Sequence, residues 1–499
     1  MRIPLPSLLL LAGALHAATL RGTVVENLTG HPLSRAGVLL EPIPGSGGKR
    51  MAGHTNRYGM FEFGGVTPGL YILQATRAPF VTAYYGQKRW NSAGTPLKVN
   101  EDESPFVTIR MMRFAAIGGT VVDENDVGQP GFPVAAYKNT RPLQLAAQAI
   151  ADERGVYRIF GLLPGEYVVR SLGKELEGTG FKPTFAHETE VVDEARQIGV
   201  DIEEEAREVK LRALPGQLFT LHVTAETLQP DHAPVTMTFV SELGRQVVQS
   251  SDHMFTGLPR GDYEVFGEAP SDIPGVKQGA YAYITVGRNE SAQLVLRRMS
   301  PVRFEFAGLP AKTPDDVQLF GRRKDLAGAH ETQPIHLQNG LATLPVGPWE
   351  FAVTPVDGYY VSGFSGLSFS TALKTKRFDG WNETAINNWG GRIMFRFSSG
   401  PGALHGRVTD NSDPVVGAPV FLEPVDLEPA RRITDTYVTI TDTHGLYRFG
   451  SLAPGQYRVL SSFEYQMPDS KTMVEARAKE LQIDAHSDLA QDLDLYVIR

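Results

Sequence analysis

The chain of 499 residues contains no cysteine, so a disulfide framework, a thiolate nucleophile and a cysteine-based metal site are excluded throughout. A lipid anchor on an N-terminal cysteine is excluded with them. Positive charge is also scarce: a net charge of -8 and a pI of about 5.9 leave no basic field for a phosphate backbone, which argues against nucleic acid as a partner. Long helical patterns are few. Beyond the first twenty residues, no apolar run approaches the ~20 residues of a membrane-spanning helix.

Turn residues, by contrast, are abundant. The 51 glycines and 34 prolines follow no collagen-like period and point to an all-β protein with many turns. An apolar fraction of 42% and a charged fraction of 21% are those of folded protein, and the length predicts three to five domains at roughly 100–200 residues each. The N-terminus, "MRIPLPSLLLLAGALHAATL", has one Arg, an apolar run and small residues at Ala17 and Ala18. That is the layout of a secretory signal peptide over residues 1–17. Export without cysteine suits a bacterial protein that is secreted, periplasmic or on the cell surface.

One phrase recurs. "TNRYGMFEFGGVTPGLYIL" (55–73), "ADERGVYRIFGLLPGEYVV" (151–169) and "TDTHGLYRFGSLAPGQYRV" (441–459) share a turn, an alternating strand, a Pro-Gly and an aromatic two positions later. "SSDHMFTGLPRGDYEVF" (250–266) and "LQNGLATLPVGPWEFAV" (337–353) keep the end of the pattern. The turn glycines Gly69, Gly165, Gly261, Gly347 and Gly455 lie 96, 96, 86 and 108 positions apart, each interval the length of one small sandwich. The aromatics Tyr71, Tyr167, Tyr263, Trp349 and Tyr457 match the tyrosine corner of Greek-key sandwiches, in which a buried ring bonds nearby backbone. They read as scaffold.

First strands are expected at "LRGTVVE" (20–26), "IGGTVVD" (117–123), "FTLHVTA" (219–225), "VRFEFAG" (302–308) and "LHGRVTD" (404–410). The modules are then residues 18–113, 114–214, 215–299, 300–401 and 402–499, the third and fourth divergent. Linkers this short predict a semi-rigid rod.

In modules one, two and five, "G-x-V" on the first strand is followed by "RAGVLLEP" (35–42), "PGFPVAAY" (130–137) or "GAPVFLEP" (417–424), and then by the corner. This pattern resembles the carboxypeptidase regulatory-like domain, a relative of the Cna B-type and transthyretin-like sandwiches. The resemblance implies a prealbumin- or Ig-like Greek-key fold, often described as carbohydrate-binding-like, that in metallocarboxypeptidases is accessory to a separate catalytic domain. No stretch here is left for such a domain.

Catalytic motifs are lacking. His187-Glu188 and His330-Glu331 have no second histidine at ligand spacing, "GFSG" (363–366) fails the nucleophile-elbow spacing, and "PGSGGKR" (44–50) lacks the first glycine and the Ser/Thr of a phosphate loop. The chain therefore reads as a non-enzyme. The loops with Asp123/Asp126 and Asp410/Asp413 bunch oxygens but fall short of the six or more that calcium takes, so they read as solvated turns, with calcium the alternative.

The most unusual segment, residues 356–391, concentrates Tyr359, Tyr360, Phe364, Phe369, Trp381 and Trp389 with Asn382, Asn387 and Asn388. Rings beside amides suit a sugar face, and Tyr359, Tyr360, Trp381, Asn382, Asn388 and Trp389 are the candidate ligand residues. The alternative is that they cover a sheet edge and a seam. "AYYGQKRWNSAG" (83–94) is a milder version in module one. The expected function is an exported binding, adhesion or structural rod at the cell surface or in the periplasm. The alternatives are a carbohydrate-binding protein and a spacer for an outer-membrane protein partner.

Overall fold

The computed structural model describes residues 18–101, 104–139, 143–176, 178–228, 234–241, 244–309, 317–366, 377–434 and 436–498. Residues 1–17, expected as a signal peptide, and Phe369 lie outside them. The protein is all-β and multi-domain: its strands form five successive pairs of facing sheets, with one small three-stranded sheet beside the second pair.

In the first pair, Ala18–Glu26 lies between Met60–Val66, antiparallel to it, and Phe106–Met111, parallel to it. Facing this sheet, Met51–His54, Gly37–Pro42 and Gly69–Thr76 follow in that order, with Ala83–Tyr84 and Leu97–Val99 on the far side of Gly69–Thr76. A parallel neighbour requires a long crossover. Here the whole second sheet serves as that crossover.

The same order recurs around Ala115–Val122, Phe219–Glu226, Val302–Ala307 and Gly402–Asp410, each with an antiparallel hairpin strand on one side and the module's last segment, parallel, on the other. Modules three and four share only the corner with the others in sequence, yet they carry the full topology. Alternation explains the strands: in Ala18–Glu26 the inward positions include Leu20 and Val24, both fully buried, while Arg21 points out. Every pair of sheets encloses its own apolar cluster.

The corner is an arch, because its two strands belong to different sheets. Leu446–Leu452 pairs with the first strand, whereas Gly455–Ser461 joins the opposite sheet. The corner ring fills the space between. Tyr71 donates its hydroxyl hydrogen to the Thr67 carbonyl at 2.6 Å, Tyr167 to Leu163 at 2.7 Å, Tyr263 to Pro259 at 2.7 Å and Tyr457 to Ala453 at 2.8 Å. In module four, Trp349 Nε1 donates to the Pro345 carbonyl at 2.8 Å, again four residues back. The position needs a buried ring with one donor at its rim, and either residue supplies it.

The glycine of "G-x-V" has a separate cause. Gly22, Gly119 and Gly406 stand directly across the ladder from Phe61, Tyr157 and Tyr447. A Cβ on Gly119 or Gly406 would lie 1.9 Å from the backbone oxygen of Val209 or Gln491, and one on Gly22 would lie 2.5 Å from the Phe61 ring. Tyr157 and Tyr447 hydroxyls donate to those same oxygens, at 2.7 and 2.5 Å. The first strand has to be bare where the opposing ring crosses it. The tight turn before that ring is set by an Asx motif, in which Asn56, Asp152 and Asp442 each accept two backbone N–H bonds through Oδ1.

The extended rod expected from the short linkers is not the arrangement found. Module one touches module five: Ala93 N donates to Phe463 O at 2.8 Å, Gln466 N donates to Asn91 O, and Gln466 Nε2 donates to the carbonyls of Ser92 (3.0 Å) and Trp90 (3.3 Å). Neighbouring modules are also bound side to side, so the five form a closed circuit. Short linkers fix a joint without making it straight. The angle comes from side-chain seams, and the bends add up until the ends meet.

Candidate functional site

Among the described residues, parts of the aromatic segment of module four lie in two such seams. Its exit strand, Tyr359–Ser365, pairs with Gly391–Ser399 and leaves Tyr359 and Tyr360 half-buried, with Phe364 against Phe395 in the core. Trp381 is 1% exposed and Asn382 is buried beside it. The Trp381 amide donates to Arg431 O of module five at 2.5 Å, and the Arg322 guanidinium lies 4.2 Å over its ring while donating to Ala430 O at 3.2 Å. Asn382 spends its amide on the carbonyls of Phe378 and Gly380, at 2.9 and 2.8 Å. Neither Trp381 nor Asn382 has a face left for a sugar, which corrects the expected placement of both.

Asn388 is a seam residue on the other side. Its Nδ2 donates to Gly279 O and Arg297 O of module three, at 2.8 and 3.0 Å. Trp389, next to it on the turn, is 78% exposed, and its backbone N–H is held by Asn387 Oδ1 at 3.0 Å. Of the six candidate ligand residues, only Trp389 presents an open ring. The six do not converge on one surface. The milder segment, 83–94, supplies the module-one half of the contact with module five.

Each seam carries characteristic chemistry. Between modules four and five, the buried Arg377 bonds Asp379 (2.5 and 3.1 Å), Asp426 (3.1 Å) and the Tyr457 hydroxyl (2.6 Å), with its guanidinium 4.5 Å over the Tyr457 ring. Burial works against the Arg377 charge, but Asp379, Tyr457 and Asp426 outweigh it and the pKa rises. Tyr457, shut away from water, is pushed up. The module-five corner hydroxyl is therefore donor to its own arch and acceptor from the neighbouring module.

Between modules three and four, Asp325 is wholly enclosed and takes two bonds from Arg245, both at 2.8 Å, and one from His330 at 2.6 Å. Burial pushes its carboxyl up, but the bonds and charges of His330 and Arg245 prevail and hold it below the ordinary range. Arg323 adds a contact to Glu268 at 3.2 Å and lies 4.2 Å over Phe266. Sequence reading missed the Arg245–Asp325 and Glu268–Arg323 pairs because their members are 80 and 55 positions apart with no motif around them.

The calcium alternatives are placed as well. Asp126 is bridged by Lys210 (3.1 Å) and Arg212 (2.9 Å), so its charge is already met, and those cations lower its pKa. Asp123 Oδ1 accepts the N–H groups of Asn125 and Val127, and Asp410 accepts from Asn411. Asp413 pairs with Asp410 through the backbone of a tight hairpin. No group of three or more metal-ligating side chains occurs among the described residues, and no helix among them is long and apolar enough to cross a membrane.

No protein-family model matches the chain. No curated protein matches it either. Solved structures with partial overlap include the minor pilin GBS52 of Streptococcus agalactiae, at 14% identity and a TM-score of 0.24, over 40% of this chain and 98% of that one. The shaft pilin spaA of Lactobacillus rhamnosus GG overlaps at 11% identity and a TM-score of 0.25, over 40% and 98%. A streptococcal ancillary pilin overlaps at 13% and 0.22, over 57% and 100%. Overlaps this loose bear on neither the arrangement of the modules nor what the chain does, and the fold rests on the strand pairings above.

Proposed function

We propose that the chain is an exported, non-enzymatic protein of the bacterial envelope, acting as a preassembled binding or structural body of five sandwiches related to carboxypeptidase regulatory-like domains. One observation carries this reading: Trp381 and Asn388 of the one aromatic segment, and residues 90–93 of the other, are spent on joining modules. Residues that would otherwise serve a small ligand hold neighbouring sandwiches in fixed positions, as Arg377 does with Tyr457. What remains for recognition is loop surface on a rigid support, which suits a macromolecular partner. A protein-facing spacer rather than a sugar binder is the form of this reading that the buried Trp381 and Asn382 favour.

The carbohydrate reading survives in a narrower form, through the open ring of Trp389. The test is binding of the chain from residue 18 onward to a panel of bacterial and plant polysaccharides, beside a Trp389→Ala variant. Binding lost by the variant establishes a sugar site at the module-three/four seam. No binding by either favours the protein-facing reading. Hydrolysis of any glycan or peptide in the panel would overturn the non-enzymatic assignment.

A further inference from the structure

We propose that the contact between modules five and one is a latch that opens, and that its two faces, once parted, pair head to tail with those of a second copy of this chain.

The other four junctions are held by continuity of the chain, because each joins neighbours in sequence. The latch joins segments 376 positions apart at its widest bond, so nothing covalent keeps it shut. Its chemistry also differs from that of two of them. Salt bridges hold the three-to-four and four-to-five junctions, through Arg245 with Asp325 and Arg377 with Asp426. Among the described residues, no ion pair joins modules five and one.

The latch consists of four backbone or amide hydrogen bonds and apolar contact, including Pro96 and Ile43 against Gly417. It also borders a partly open cleft of about 130 Å³, room for water, between Ala93 and Thr95 on one side and Phe463, Glu464, Leu495 and Tyr496 on the other. The seam that lacks a covalent tie is thus also one that, among the described residues, no ion pair fastens.

A second copy is the occupant because the faces are already complementary: whatever Ala93, Asn91 and Ser92 offer to Phe463 and Gln466 within one chain, they offer equally to another. Within one chain the two faces meet at an effective concentration of order millimolar, so dilute protein stays closed. Crowding at a surface, or transient opening at high concentration, moves the balance toward chains joined end to end.

The absence of cysteine makes the test direct. Ala93→Cys and Phe463→Cys are prepared as separate variants and as a double variant of the chain from residue 18, and all are oxidised mildly. The double variant is expected to close within one chain at micromolar concentration, giving a faster-migrating monomer. The two single variants, mixed at several hundred micromolar after brief exposure to sub-denaturing urea, are expected to form a disulfide dimer with one chain of each kind. That product should exceed like-with-like dimers by about tenfold. Equal amounts of all three dimers, or no mixed dimer, would overturn the pairing with a second copy. Failure of the double variant to close, with scattering from the parent chain showing an extended particle, would overturn the latch itself. A Gln466→Ala variant supplies a second readout in the same oxidised mixtures. Loss of its two amide bonds should increase mixed-dimer formation in the Cys pair, and no change would count against the proposal.

Discussion

Modules one, two and five differ from modules three and four at one crossing point. In the first group a bare glycine on the first strand lets an aromatic ring cross, and in modules one, two and five the opposing residues are Phe61, Tyr157 and Tyr447. In module three, Val223 takes the glycine's place opposite His253, and Phe255, two positions on, stacks on Phe239 at 4.4 Å, which stacks in turn on Tyr263. In module four, Val302 faces Ala342, and the core is filled by Trp349 stacked on Phe351 at 5.5 Å. One topology therefore has two solutions for filling its centre: a ring laid across a glycine, or rings stacked along the opposite sheet. The corner is common to both, which makes it the invariant of the fold, while the crossing is an option.

Exchanging the two solutions should have the largest effect. Gly406→Leu drives a side chain into the Gln491 carbonyl and the Tyr447 ring, and overpacking of this kind costs about 3 kcal/mol or more. Hydrogen exchange should show lost protection in Gly402–Asp410 and its neighbours while module three is unchanged. The reverse exchange, Val223→Gly, leaves a cavity and should cost about 2–3 kcal/mol, without restoring the crossing. If Gly406→Leu were tolerated as module three tolerates Val223, the two-solution account would fail.

The corner should respond more mildly and unequally. Tyr167→Phe removes one hydroxyl bond to the Leu163 carbonyl and is expected to cost about 1 kcal/mol. Tyr457→Phe removes the same bond and also a partner of the buried Arg377, so about 2–3 kcal/mol is expected. Urea unfolding followed by exchange, module by module, separates the two. Equal costs would mean that the Arg377 contact contributes nothing.

The smallest effect is acid loosening of the joint between modules three and four. The lowered Asp325 pKa means that the folded form binds its proton less readily than the unfolded chain does, so its stabilisation is complete above the ordinary Asp value of about 3.9. That stabilisation is lost as pH falls through the lowered value. Fluorescence or scattering between pH 5 and 2 should show the Arg245–Asp325 contact failing in this window, and an Asp325→Asn variant should flatten the change.

Much of the architecture was legible because period and turn chemistry are local. The alternation in "LYRF", the Asx turn at Asp442 and the corner at Tyr457 each depend on residues within a few positions of one another. The glycine crossing was visible as a motif, yet its cause lies across the ladder, 38–41 positions away, and cannot be read from either strand alone. The seams were less legible still. Trp381 and Trp389 stand eight positions apart with the same composition around them, and one is enclosed while the other is open. Only the approach of Arg322 and Arg431 from elsewhere distinguishes them. Aromatic content marked where surfaces meet, without saying whether the other surface belonged to a ligand or to the chain itself.

The pairing of first and last strands has a mechanical consequence. In each module the chain enters at the start of one strand and leaves at the end of the strand parallel and adjacent to it, as Arg21–Glu26 does beside Phe106–Met111. Tension along the chain therefore pulls these two strands in opposite directions along their length, loading all the bonds between them at once. A hairpin pulled from its open end would release its bonds one by one, whereas this geometry resists in shear. A body built from five such units should give way first at its seams, where contact is by side chain, and only afterwards within any sandwich.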